Sequence, residues 1–217
     1  KLGTITCNNI VETTPIVFRN ELYRFEVVRR KSFTTASQVC HWSELADSPC
    51  LRFIHVRTNT ATPLFAEDHT FGFPYVVGDT MYVVTGAGKD WGVDTLDFFK
   101  SKDLVNWEKH TQVHLPGWKI FNTGVCKLNG TYTLLMEISA PVEEAGKPFT
   151  FRFMKSTDMT NWTLTPSECV FQKDRYAGSP ALYAFEDDPY YYVGYLEAYP
   201  HRGYANCVAR STDLIHW

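Results

Sequence analysis

No apolar run in this sequence reaches the roughly 20 residues that a helix needs to cross a bilayer, so insertion into a membrane is not expected. No leader is visible ahead of Lys1, which implies a processed or truncated start. There is no CxxC pair among Cys7, Cys40, Cys50, Cys126, Cys169 and Cys207, which excludes a zinc ribbon or thioredoxin-type site. There is no HxH or HExxH spacing, so no metal site is expected. Charge of one sign is also lacking: the net charge of −3 gives no electrostatic case for nucleic acid or an anionic membrane as partner. No linker, low-complexity tract or helical periodicity interrupts the chain, and 217 residues suffice for one domain with a sizeable core.

What is present is a repeat. Ser101-Lys102-Asp103-Leu104-Val105-Asn106-Trp107 recurs as Ser156-Thr157-Asp158-Met159-Thr160-Asn161-Trp162 and as Ser211-Thr212-Asp213-Leu214-Ile215-His216-Trp217, each copy 55 residues after the last. Short runs rich in Val, Tyr, Phe and Leu precede each copy, separated by turn residues, Asn129-Gly130 being the strongest hairpin signal. Several strands at such a period make one blade of a β-propeller. Ser, Thr and Asp fix tight turns through hydrogen bonds to nearby backbone N–H groups. The Trp offers a ring to pack between blades. Repeated equivalent residues cannot all face one substrate, so the motif is scaffolding, and chemistry must lie where the copies differ.

The fold expected is therefore all-β, a single propeller domain over residues 1–217, with blade units at about 11–60, 61–109, 110–165 and 166–217. In the first unit the motif is worn away at Arg57-Thr58-Asn59-Thr60-Ala61, and 31–49 forms a polar insertion. The fourth unit stops inside its motif at Trp217, so a longer chain, or a partner chain, is expected to close the ring. Cys40 and Cys50 bracket a short polar loop and are the best disulfide candidates. Sequons at Asn129-Gly130-Thr131 and Asn161-Trp162-Thr163, with the even cysteine count, point to an extracellular, secreted glycoprotein. Aromatic content of 15 % suits both strands and surfaces that stack on sugar rings.

Runs such as Tyr191-Tyr192-Val193-Gly194-Tyr195, followed by Ser211-Thr212-Asp213-Leu214 and Trp217, resemble the five-bladed propeller shared by glycoside hydrolase families 43 and 32. The resemblance spans most of the chain as a pattern. It implies a carbohydrate partner, no organic cofactor, a structural calcium in the channel of some relatives, and three acidic residues at the channel mouth. In family 43 the base is an Asp directly before the Pro that opens the innermost strand of the first blade; here that position is Thr14, before Pro15. The other openings are Phe73, Thr123 and Ser179, none acidic, and Gly178-Ser179-Pro180 lacks the Glu of the expected Glu-Gly-Pro. The usual catalytic residues therefore do not carry over.

Relocated carboxylates are expected at the ends of second strands, which return beside the starts of first strands in an antiparallel blade. Three apolar runs end in Glu: Tyr23-Arg24-Phe25-Glu26, Leu135-Met136-Glu137 and Tyr195-Leu196-Glu197. Glycoside hydrolysis asks for one protonated and one ionised carboxyl, and crowding like charges pushes one pKa up. The roles expected are Glu197 as general acid, Glu137 as base or nucleophile, and Glu26 as the tuning carboxylate. Asp68, His69, Asp90, Trp91, Arg175, Tyr176, His201 and Arg202 fall at the same face and are the substrate-binding candidates, through Arg clamps and ring stacking. Two functions fit: a glycosidase with the Glu pair across an open pocket, or a noncatalytic glycan-binding or structural propeller. In the second, Arg24, Arg152, Arg175 or Arg210 would neutralise the Glu residues.

Overall fold

A computed structural model of the chain describes residues 13–28, 48–146, 149–199 and 203–217. Four antiparallel sheets follow one another along the chain, with strands paired in sequence order in each. Blade one holds β1 (Thr14–Phe18), β2 (Glu21–Val28), β3 (Cys50–His55) and the two-residue β4 (Thr60–Ala61). Blade two holds β5 (His69–Val77), β6 (Thr80–Ala87), β7 (Thr95–Ser101) and β8 (Glu108–His114). Blade three holds β9 (Lys119–Leu128), β10 (Thr131–Ala140), β11 (Thr150–Ser156) and β12 (Thr163–Leu164). Blade four has three strands, β13 (Ala177–Ala184), β14 (Tyr191–Tyr199) and β15 (Gly203–Ser211). The first strands β1, β5, β9 and β13 are the inner ones, each lying against the next.

The all-β propeller expected from the repeat is thus observed. Three details differ. β8 runs to His114, across the expected unit boundary at 109/110, because the turn of the motif feeds a fourth strand of the same blade. A four-residue helix α1 (Val142–Ala145) stands between β10 and β11, closed by Gly146 at φ 68°. Cys50 is a buried free thiol, as are Cys126 and Cys169, so the expected bridge from Cys50 is not made; Cys40 and Cys7 lie outside the described residues. The expected insertion lies outside them almost entirely.

The motif forms the turn from third to fourth strand. Asp103 Oδ1 accepts from the backbone N–H groups of Val105 (2.9 Å) and Asn106 (2.8 Å), while Leu104 N donates to Ser101 Oγ (2.9 Å). The same bonds recur on Asp158 and Asp213. They hold Leu104, Met159 and Leu214 at φ of 63°, 62° and 67°, a left-handed conformation unfavourable for residues with a Cβ. The three aspartates are held well below the ordinary carboxylate range, Asp103 and Asp158 chiefly by the backbone N–H groups of Asn106 and Asn161, Asp213 chiefly by the His216 ring. Asn161, the residue of one sequon, donates its amide to Asp158 (2.8 Å).

Each motif Trp stacks on a Phe of the preceding blade: Trp107 on Phe53 (5.8 Å, 3°), Trp162 on Phe98 (5.3 Å, 21°) and Trp217 on Phe153 (5.7 Å, 17°). Each pair adds about 0.5–1.5 kcal/mol beyond its buried area, so a seven-residue repeat welds every seam in register. Blade four has Val208 at the matching position, and it is 76 % exposed.

One polar cluster is buried in blade two. Asp97, 4 % exposed, accepts from His69 Nε2 (3.0 Å) and Gln112 Nε2 (2.6 Å) and pairs with Lys109 Nζ (2.8 Å). Burial pushes its pKa up, but the bonds from His69, Lys109 and Gln112 outweigh that and hold the carboxyl at about 2. A carboxylate with a depressed folded-state pKa stabilises the fold above its unfolded value, about 3.9, and that stability is lost as pH falls towards about 2. Asp97→Asn is therefore expected to lower the urea midpoint at pH 6, with the gap from the parent protein closing below about pH 4. A gap that does not change with pH would refute the linkage.

Candidate active site

The starts of first and third strands and the ends of second strands share one face, as the register of His69 with Ala87, Ala140 with Lys119, and Ala177 with Glu197 shows. Alternation along a strand then decides which way each side chain on that face points. Leu135 and Phe151 pack with Leu182, Tyr191 and Val193, so this side of blade three looks at blade four. Glu137, paired with Phe151 across β10–β11, points the same way. Tyr195 packs against Phe151 (6.3 Å) and Phe171 (4.7 Å), so its side of blade four looks back at blade three, and Glu197 follows it. Glu137 and Glu197 therefore enter the same seam from opposite sides. Both are buried, at 3 % and 2 % exposure.

The start of β13 threads between them. Glu137 Oε2 accepts from Asn122 Nδ2 (2.7 Å) and from Ser179 N (3.3 Å). The Ser179 N–H is turned towards it by a bulge between Gly178 and Ala181, where Ser179 takes φ 50°. A side chain at Gly178 would be 2.9 Å from Glu137 Oε1 and 2.5 Å from the Tyr176 hydroxyl, so only glycine lets these groups close in. Glu197 Oε1 lies 2.6 Å from Arg175 Nη1, and Tyr195 donates to Oε2 (3.4 Å). Burial first, then the Glu137 charge and Tyr204, raise the Tyr176 pKa. Burial, then Cys207 and Glu197, push Tyr195 up to about 12, so both phenols stay protonated donors near neutral pH.

Glu26 lies elsewhere. Phe25 and Val27 pack with Met81 and Val83 of blade two, so Glu26 points to the opposite side of blade one, away from that seam. Arg24 donates to its Oε1 (Nε, 2.7 Å) and Arg52 to its Oε2 (Nε, 2.9 Å). The expected inter-blade partners are only partly those observed: Arg175 holds Glu197, while Arg152 is committed to Glu144 (2.7 Å) and Arg210 lies over the Tyr190 ring (4.3 Å).

Of the other expected residues, Arg175 and Tyr176 join the seam. His69 bonds to Asp97 and, through Nδ1, to the Glu67 carbonyl (2.7 Å). Asp68 pairs with Lys89 (3.0 Å) and has a lowered pKa, through a hydrogen bond from Ser48 first and Lys89 second. Asp90 is exposed, and Trp91 is 61 % exposed beside it. His201 and Arg202 lie outside the described residues. Among the described residues no group of three His, Cys, Asp or Glu could hold a metal ion.

Sequence reasoning missed Asn122 and the Ser179 amide, since bulges carry no residue signature here. It also missed a line of rings along the face. Trp91 meets Phe71 (5.2 Å) and Phe121 (5.8 Å); Phe121 meets Phe149 (4.9 Å), Phe149 meets Tyr176 (5.3 Å), and Tyr176 meets Tyr204 (5.9 Å).

No family model matches the chain, and no curated protein does. Solved structures do. The GH93 α-L-arabinofuranosidase of Fusarium graminearum in complex with arabinobiose superposes with a TM-score of 0.64 at 12 % identity, over 94 % of this chain and 63 % of that one. The α-L-arabinanase of Penicillium chrysogenum, also with arabinobiose, gives 0.57 at 12 %, over 94 % and 65 %. The GH32 β-fructofuranosidase BmSUC1 of Bombyx mori gives 0.58 at 14 %, over 89 % and 44 %. The chain has the propeller fold of these glycosidases. It spans less than two thirds of the length of each. At such identities the likeness is one of fold alone.

Proposed function

We propose that this propeller is a glycoside hydrolase that cleaves a glycosidic bond at the seam of blades three and four, with Glu137 and Glu197 as its carboxylate pair. The observation that carries it is the burial of two acids from adjacent blades around the start of β13. A buried carboxylate has no packing reason to be there, and glycoside hydrolysis uses two. Similar structures named as an arabinofuranosidase, an arabinanase and a fructofuranosidase support a carbohydrate substrate.

The Arg175 contact suggests the roles. A guanidinium at 2.6 Å matches the charge of Glu197 and suits a carboxylate that works ionised, attacking the anomeric carbon or activating water. Glu137, whose Oε2 accepts from the Asn122 amide and the Ser179 N–H, then donates the proton to the leaving oxygen. This reverses the order expected from sequence. Glu26, bracketed by Arg24 and Arg52, takes a structural role. An extracellular setting belongs to the same proposal and rests on the sequons.

A second function is favoured by the arginines themselves. Glu26 and Glu197 are both matched by guanidinium groups at short range, as a noncatalytic glycan-binding propeller would have them. Release of reducing ends from a panel of polysaccharides and aryl glycosides separates the two. Hydrolysis, with the product anomer reporting retention or inversion, supports the enzyme; glycan binding without release supports the binding module. If hydrolysis is found, Gly178→Ala is expected to lower kcat on the order of 10²-fold, the scale of an ångström misplacement of catalytic groups. Unchanged turnover would show that the tight approach of Tyr176 and Glu137 is not needed.

A further inference from the structure

The line of rings ends at Trp91 in a way packing does not explain. Phe71 and Phe121 beneath it are buried, at 4 % and 3 % exposure, yet Trp91 keeps 61 % of its surface in solvent. Its indole is not loose: interplanar angles of 69° to Phe71 and 63° to Phe121 fix it edge-on against two buried rings. Gly92, at φ 85°, makes this possible, because a Cβ there would lie 2.8 Å from Phe121 Cζ. The loop between β6 and β7 is thus laid tightly over blade three and presents one large ring to water. Tryptophan is favoured at binding surfaces because it offers a large rigid apolar face together with a polar N–H. Asp90, its neighbour in the chain, is exposed as well and offers a carboxylate acceptor on the same loop.

We propose that Trp91 is a sugar-stacking platform remote from the point of cleavage, so that the substrate is a chain of several sugars and not a single-sugar glycoside. A sugar ring has an apolar C–H face for the indole and hydroxyls at its rim for Asp90. Ring contacts of 5.8, 4.9 and 5.3 Å lead from Trp91 through Phe121 and Phe149 to Tyr176, so Trp91 stands three ring contacts from the tyrosine beside the carboxylates. Tyr176 stands against Glu137, so a chain seated on Trp91 reaches the carboxylates only after further units. The proposal rests on the hydrolase function for the meaning of "cleavage", but the platform itself is testable as binding.

The test uses arabinan and inulin oligosaccharides graded by length, beside the matching aryl glycosides, on the parent protein, Trp91→Ala and Trp91→Phe. The expected result is a rise in KM of tenfold or more for long oligosaccharides in Trp91→Ala, a clearly smaller rise on aryl glycosides, and partial restoration in Trp91→Phe. Equal losses on long and short substrates, or no loss on either, would overturn the platform. Binding is read separately, by titration calorimetry with the oligosaccharides, in the Glu137→Gln protein with and without Trp91→Ala. Oligosaccharide binding lost with Trp91 in a protein that hydrolyses nothing would keep the platform and remove the hydrolase. Hydrolysis of long chains with no contribution from Trp91 would do the reverse.

Discussion

Glu197→Gln and Glu137→Gln are each expected to lower kcat about 10²–10⁴-fold, the contribution of a positioned acid or base, with unfolding midpoints close to the parent protein. The amide is nearly isosteric, so the seam should stay packed. In Glu197→Gln, Arg175 loses the Glu197 charge but keeps Asp174 (3.9 Å), and its side chain is 54 % exposed, so water can take over. The two variants should differ in substrate dependence. If Glu137 donates the proton, an aryl glycoside with a good leaving group needs little help and should rescue Glu137→Gln. The same substrate should not rescue Glu197→Gln. Rescue of Glu197→Gln instead would return the acid to Glu197. Full activity in both variants would remove the pair altogether, and Glu26→Gln would then be the next variant to assay.

Arg152→Ala is expected to cost about 3–5 kcal/mol of stability, the usual loss when one partner of a buried charge network is removed. Arg152 is 1 % exposed, among the most buried side chains in the protein. Its Nε meets Glu144 (2.7 Å), Nη2 donates to the Thr165 carbonyl (3.0 Å), and Nη1 donates to the carbonyls of Pro166 (2.9 Å) and Cys169. Removal strands the buried Thr165 and Cys169 carbonyls and leaves a cavity as well. It also unpins residues 165–172, which lead into Arg175 and Tyr176. Denaturant unfolding measures it: a fall in midpoint at constant slope reports stability. Glu144→Gln, at a residue 24 % exposed on its side chain, should cost far less. Similar losses in both variants would mean that the ion pair, and not the carbonyl clamp, carries the effect.

The fold was legible in the sequence because it is repeated and local. Ser101, Asp103 and Asn106 close their own turn within six residues, and the backbone N–H bonds to the Asp recur in two later copies, so residue identity alone predicts the conformation. The ring that each Trp would meet was not legible, since Phe53, Phe98 and Phe153 lie in the preceding blade, far upstream in the chain, and carry no mark among the other aromatics.

The candidate site divides the same way. That Glu26, Glu137 and Glu197 close apolar runs late in second strands could be read from sequence, and all three are buried. Which of them share a space could not. Side chains alternate across a strand, so a shift of one residue in register sends a carboxylate to the other face of its blade. Glu26 pairs with Arg52 and turns away from blade two, Glu137 sits at a bulge facing forward, and Glu197 pairs with Ala177 facing back. Their spacing from the strand ends looks alike in sequence but differs in phase. The repeat thus determined the propeller, while pairing register and bulges, which form only between strands, decided that two of the three acids meet.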